Sequence, residues 1–296
     1  MVKVTFLGTS DSIPSIGRNH TSILLSQNSE NILIDCGEGT QKQFREAKLN
    51  PCKVTRILIT HWHGDHVLGI PGLLSTLALS GYNKVMYVYG PEGTKKKFLE
   101  SLKVFPFKRD YDIVYTEISE GRFFENEDFY LESEKMEHGV PCLAYSFTEK
   151  GHVRIKKEKL ESLGRGPHLK KIKEGIDIDV NGKKIRAKDF VYKERDKKIS
   201  IVMDTRMNPR ILPFVKGSDF FISEGTYSHD MKKEALEHFH LTVKQVSEIA
   251  KKANVRKLFI THISSRYVKA IKYLTDEAKS VFNETYLVRD LDFFIL

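Results

Sequence analysis

Short apolar runs rich in Ile and Val recur along the chain, and several stop at a histidine or an aspartate. Arg56-Ile-Leu-Ile-Thr60 leads into His61, Lys198-Ile-Ser-Ile-Val-Met203 into Asp204, and Arg256-Lys-Leu-Phe-Ile-Thr261 into His262. Runs of this length and β-branched content predict buried strands, not helices. The front of the chain adds strand patterns over Val2–Leu7, Thr21–Leu25 and Asn31–Asp35, and Phe129–Ser133 precedes His138. Longer stretches predict helices over Thr40–Lys48, Thr94–Leu102, Lys232–His238, Val243–Ala253 and Tyr267–Phe282. Val180-Asn-Gly-Lys183 reads as a hairpin turn. This mixture implies a layered α/β architecture with functional groups on loops at strand ends. The expectation is one catalytic body over residues 1–296, interrupted by an insertion at about 150–175.

Composition narrows the class. Of 296 residues, 40% are hydrophobic and 29% charged, ordinary for a globular protein with a core. No stretch approaches the ~18 consecutive apolar residues of a membrane span, so no membrane partner is expected. The first residues run straight into a strand pattern without the layout of a signal peptide. Three scattered cysteines, Cys36, Cys52 and Cys142, form no disulfide framework and point to a reducing compartment, the cytoplasm. The net charge of +9 is unevenly placed: Lys150–Lys198 holds 17 Lys and Arg against 8 Asp and Glu, and the other residues sum to zero. A solvated basic face explains many charge runs. An excess confined to one segment favours a partner that carries phosphate.

The chemistry concentrates in His61-Trp-His63-Gly-Asp65-His66. His61 and His63, two apart in extended backbone, point to one side and can share a metal. Asp65 and His66 follow Gly64 at an expected loop-to-helix turn and can reach a second metal. Imidazole nitrogens with carboxylate oxygens suit Zn²⁺. His138, Asp204 and His262 sit at other strand ends, and each alone is ambiguous: a satisfied histidine, a helix cap or a ligand. Together these positions offer five His and two Asp, the donor count of a two-metal site with one bridging carboxylate. Asp35-Cys-Gly-Glu-Gly-Thr-Gln41 is glycine-rich but lacks the Gly-Lys-Ser/Thr of a phosphate-binding loop, and reads as a tight strand-to-helix turn near the metals.

The His61–His66 motif resembles that of the metallo-β-lactamase superfamily. Phe6–Ser10, Pro14–Asn19, Asp35–Gln41, Asp204-Thr-Arg206, His240-Leu-Thr242 and Thr261–Tyr267 are similar to the tRNase Z family within it. The resemblance implies an αββα sandwich with a protruding basic arm, and a zinc-dependent endoribonuclease that removes the 3′ trailer from precursor tRNA. It implies two zinc ions, one held by His61, His63 and His138, the other by Asp65, His66 and His262, with Asp204 between them. It also implies catalytic roles for Asp65, for His240 as proton donor and for Glu224 behind it, and a homodimeric assembly. Spacing alone does not single out the Glu224–His240 pair.

The basic segment contains Gly164-Arg165-Gly166-Pro167 followed by Lys170, Lys171 and Lys173. The resemblance makes it the arm that grips tRNA, with these residues as RNA contacts; backbone amides and cations both suit phosphate. Two rival readings differ in prediction. A phosphodiesterase for small substrates needs no arm, and an inert RNA-binding protein on the same scaffold is expected to lose ligands. His20, His152, His168, His229 and His238 are read as structural or surface histidines.

Overall fold

Two seven-stranded sheets carry the fold in the computed structural model of the chain. Residues 1–164, 166–180 and 183–296 are described, without the side chains of Ser162, Val180 and Lys183. In the first sheet the strands run Phe293–Ile295, Lys3–Gly8, Ser22–Gln27, Glu30–Ile34, Arg56–Leu58, Met86–Gly90 and Ile113–Glu117 from edge to edge. Pairing is antiparallel as far as Glu30–Ile34 and parallel beyond it. The second sheet is ordered Thr285–Leu287, Lys257–Thr261, Phe220–Glu224, Lys197–Val202, Cys142–Glu149, Phe129–Met136 and Gly121–Glu125. Its first four strands are parallel.

The sequence pattern explains the layering. Parallel strands covered on both faces need near-continuous apolar runs, as in Phe220–Glu224, which is buried throughout. Phe44, Leu73, Leu77 and Phe98, from helices Thr40–Glu46, Ile70–Leu79 and Thr94–Val104, cluster with Leu33, Ile57 and Val88 of the first sheet. Val246, Ile249 and Ala250 of helix Val243–Lys252 and Leu274 of helix Ile271–Val281 pack with Phe221, Leu258 and Ile260 of the second. Between the sheets, Phe6 and Phe259 stand 6.1 Å apart by ring centroid, and Tyr145 Oη donates to the Ile59 carbonyl at 2.6 Å. Each buried Phe ring contributes roughly 1.5–3 kcal/mol of apolar burial. Helix, sheet, sheet, helix is the order of layers, as expected.

Two local readings differ. Helix Ile70–Leu79 is absent from the sequence reading because its residues are apolar on most sides and include Pro71 and Gly72. Pro71 in the first turn, where its missing N–H costs nothing, begins the helix without breaking it. The long helix expected over Tyr267–Phe282 divides into a tight turn, Ser265–Tyr267, and helix Ile271–Val281. Tyr267 is drawn into the core, where its hydroxyl meets Ser228 Oγ at 2.7 Å.

By contact the chain forms two units: Met1–Phe124 with Leu131–Phe147 and Lys198–Leu296, and Glu125–Tyr130 with Thr148–Lys197. The second unit pairs Val153–Ile155 with Val191–Lys193 and Ile178–Val180 with Lys183–Ile185. Its helices are Lys157–Leu163, His168–Lys173 and Ala187–Phe190, around a small core of Leu163, Ile172, Ile185 and Ala187. The turn residues Asn181 and Gly182 lie outside the described residues. Among the described residues no helix is long and apolar enough to cross a membrane.

Candidate metal centre

The parallel strands deliver the site. His61, Asp204 and His262 each lie just past the carboxyl end of a strand, and Glu224 ends one. In open α/β sheets this is where ligands bind, since strands stop and loops diverge. Helix Gly64–Val67 begins right after His63 and carries Asp65 and His66 in a single turn. His262 holds a left-handed backbone, φ +55°, unusual for a residue with a Cβ. Strain of this kind persists where the surroundings over-determine it, often at functional sites.

The side chains converge as two groups. His61 Nε2 and His138 Nε2 each lie 3.1 Å from His63 Nδ1, and both face Asp204 Oδ2 at 3.7 and 3.9 Å. In the second group, His66 Nε2, His262 Nε2 and Asp65 Oδ2 are mutually 3.3 Å apart. Asp204 Oδ1 is 3.2 Å from His262 Nε2 and 3.5 Å from His66 Nε2. Asp204 belongs to both groups, and each donor set lies within 4.8 Å. All seven positions expected as ligands therefore meet.

The electrostatics suit a cation. Asp204 Oδ1 is buried and no hydrogen bond satisfies it, an expensive condition unless an ion completes it. Burial pushes His61, His63 and His138 below the ordinary histidine range, so they present neutral ring nitrogens. For His66 and His262 burial is again the largest single influence, but the carboxylates of Asp204, Asp35 and Asp65 together outweigh it at His66, and those of Asp204 and Asp65 at His262, so both are raised. Burial works against the Asp65 charge too, yet His66 and His262 hold its carboxyl well below the usual range. The same carboxylates that favour charge on His66 and His262 would favour a bound cation. The two donor sets could each hold a metal ion.

A cavity of about 600 Å³ opens on it, lined among others by His63, Asp65, His138, Asp204, His240 and His262. A second cavity, about 650 Å³, is lined by apolar side chains such as Trp62, Leu68 and Phe105 and holds no titratable group. His240 Nδ1 lies 3.1 Å from Glu224 Oε1, and Glu224 is fully buried. Burial opposes charge on His240, but Glu224, with Asp204 beyond it, outweighs burial and raises the imidazole to about 9. His238, two residues earlier, reaches the cavity wall beside Tyr227 instead.

Residues 2–104 match the family model described as anti-Pycsar protein Apyc1. Over 302 aligned residues, spanning 99% of both chains, this chain is 38% identical to a ribonuclease Z of Listeria welshimeri. The chain belongs to the ribonuclease Z family. A ribonuclease Z of Methanothermobacter thermautotrophicus is also 38% identical, over 98% of this chain and 95% of its own. The short form of human tRNase Z shares the fold, with a TM-score of 0.74 at 23% identity, over 99% of this chain and 98% of that one. As a ribonuclease Z family member, the chain is a metal-dependent hydrolase with the metallo-β-lactamase fold.

Three polar residues beside the ribonuclease Z centre escaped the sequence reading. Asp35, Thr60 and Thr226 hydrogen-bond the outer nitrogens of its histidines. A Thr-His pair recurs at Thr60–His61 and Thr261–His262, but that signal misleads: the hydroxyl facing His262 belongs to Thr226, not Thr261. Of the residues expected to contact RNA, Gly164 ends helix Lys157–Leu163 with φ +65°, a backbone that glycine adopts without strain. Pro167 precedes helix His168–Lys173, whose Lys170, Lys171 and Lys173 are exposed while Ile172 is buried. Gly166 is half-buried, and Arg165 lies outside the described residues.

Proposed function

We propose that this chain removes the 3′ trailer from precursor tRNA by hydrolysing one phosphodiester at a pair of zinc ions. The observation that carries the reading is the meeting of two donor sets on Asp204, one of them fully buried, beside a histidine in contact with a buried carboxylate. Tetrahedral zinc with bonds of about 2.0–2.1 Å needs donors about 3.3–3.4 Å apart. The donor spacings of 3.1, 3.3 and 3.7 Å bracket that edge, so the residues fit the ion. His61, His63 and His138 would hold one zinc, Asp65, His66 and His262 the other, and Asp204 would serve both.

When bound, the zinc pair supplies Lewis acidity and an activated water. Asp65, at the cavity wall, is ionised near pH 7 and would orient a water there. Glu224 stabilises the imidazolium of His240, so a proton is available at the cavity when the 3′ oxygen departs. The products are a tRNA with a 3′ hydroxyl and a trailer with a 5′ phosphate.

Recognition falls to the second unit in this reading. Gly164, Arg165, Gly166 and Pro167 with Lys170, Lys171 and Lys173 contact the phosphates of the tRNA body, which sets register without reading bases. Three unpaired thiols favour a reducing compartment, the cytoplasm; assembly as a homodimer rests on resemblance alone. The test is cleavage of a precursor tRNA with end-group analysis, alongside metal content. An intact precursor in the presence of zinc-loaded protein would sink the endonuclease reading. Hydrolysis of small phosphodiesters alone would favour the small-substrate alternative.

A further inference from the structure

Two buried carboxylates outside the ligand set proposed above flank the centre, and their surroundings repeat one pattern. Asp35 Oδ2 lies 2.7 Å from His66 Nδ1 and accepts the Thr60 hydroxyl at 2.7 Å, while Oδ1 accepts the Thr60 backbone N–H at 2.8 Å. The Thr60 hydroxyl has a single proton and gives it to the carboxylate. Its oxygen, 3.0 Å from His61 Nδ1, can then only accept from that ring. Across the centre, Glu224 Oε1 lies 3.1 Å from His240 Nδ1, and Oε2 accepts the Thr226 hydroxyl at 2.6 Å. Thr226 Oγ1 stands 3.0 Å from His262 Nδ1.

We propose that Asp35–Thr60 and Glu224–Thr226 are paired positioning devices, each carboxylate fixing one imidazole directly and a second through a threonine hydroxyl. The proton count is the reason. With the hydroxyl protons committed, and a carboxylate facing His66, Nδ1 of His61, His66 and His262 must be an N–H nitrogen, which leaves Nε2 as the atom that faces the centre and can hold a metal. A neutral histidine without such a partner divides between tautomers, and one of the two cannot bind a metal. Outer hydrogen bonds of this type set ligand orientation and basicity. Asp35 accordingly serves one histidine of each donor set. Glu224 ties the ligand His262 to the proton donor His240, so metal binding and proton delivery share one buried carboxylate. Asp35 reaches this position through a left-handed backbone, φ +56°, in the turn after strand Glu30–Ile34.

The inference rests on the ligand assignment above, and the experiment separates the two. Metal-free wild type, Thr60→Val, Thr226→Val and the corresponding Ser variants are titrated with Co²⁺, read by its visible bands, and with Zn²⁺ by calorimetry. Thr60→Val should weaken the His61–His63–His138 site, and Thr226→Val the Asp65–His66–His262 site, each by about 10–100-fold, with the other site near normal. The Ser variants, which keep the hydroxyl, should restore affinity. Nitrogen-15 spectra of the metal-free wild type should show His61 as the Nδ1–H tautomer, and of Thr60→Val a mixture. Wild-type affinities and cobalt spectra in both Val variants would overturn the proposal. So would a uniform loss at both sites that Ser does not repair, the mark of a merely structural role. If wild type saturates at one ion, the two-zinc reading fails, while the tautomer spectra still decide the relay.

Discussion

His240 and Glu224, 16 positions apart in the chain, meet with Nδ1 3.1 Å from Oε1, and the carboxylate is fully buried. One imidazole and two backbone N–H groups, those of Thr205 and Leu241, meet the same carboxylate oxygen, so its hydrogen-bonding capacity is filled. It holds the imidazolium charge next to the cavity.

Replacement of His240 by Ala should lower turnover by ~10²–10⁴, the range for loss of a general acid, with metal content unchanged. Asp65→Ala should lower turnover and metal content together, because that carboxylate belongs to a donor set. Single-turnover cleavage with elemental analysis of the same samples is the check. A His240→Ala enzyme at close to wild-type rate refutes the proton-donor assignment.

The pH profile follows from the raised His240. Its folded pKa of about 9 lies above the ordinary 6.5, so the proton is retained through neutrality and lost as pH rises through about 9. The turnover number should therefore fall on the alkaline side near that pH. Glu224→Gln removes the charge that raises His240 and leaves the burial that lowers it, so the alkaline limb should move to lower pH. A limb that stays in place in Glu224→Gln assigns it to another group.

Metal removal should abolish cleavage and lower the melting temperature, since an ion that binds only the folded state stabilises it. Reconstitution should restore both and saturate at two zinc ions per chain. A plateau at one ion of any metal excludes the dinuclear centre. Asp204→Ala should weaken both sites at once, the consequence of its place in both donor sets.

Recognition and hydrolysis should be separable. Within the second unit, Glu194 N donates to the His152 carbonyl at 3.0 Å, so the two ends of the stretch between them are adjacent. Excision of 153–193 with a short Gly-Ser linker removes the small core whole; cutting only 151–174 would strand Ile185 and Ala187. The excised protein should keep its metal and its action on a small phosphodiester. It should bind precursor tRNA weakly and with a shallower salt dependence, about one unit of slope per lost phosphate contact. An unchanged affinity and slope would return the segment to a solvated basic loop.

Helix Val243–Lys252 starts at a reciprocal cap, Thr242 accepting from Gln245 N and Gln245 bonding back to Thr242 N. Thr242→Ala should cost about 1 kcal/mol in denaturant unfolding. A loss below a few tenths would show the cap to be redundant with the packing of Val243 and Val246.

Much of this protein is local in origin. Ile- and Val-rich runs that end in His or Asp announce both the parallel strands and the residues at their tips, because a side-chain period of two and a strand's length are properties of a few neighbours. The His61–His66 motif packs four donors into six positions, so its chemistry needs no fold to be legible. The excess of basic charge in Lys150–Lys198 is likewise a count along the chain. Where elements were misplaced, as at Ile70–Leu79 and Ser265–Tyr267, burial overrode local pattern.

What only the tertiary structure decided is which distant groups share a proton. Asp35 and His66 are 31 positions apart, His66 and His262 are 196 apart, and Glu224 is joined to His240 directly and to His262 through the Thr226 hydroxyl. A hydrogen bond requires contact within about 3 Å, and spacing along a chain sets no such distance once several strands and turns intervene. The sequence by itself determined the donors, the strands that present them and the charge of the second unit. The packing of two sheets determined that Asp204 is common to both donor sets, and that two carboxylates with two threonines stand behind four histidines.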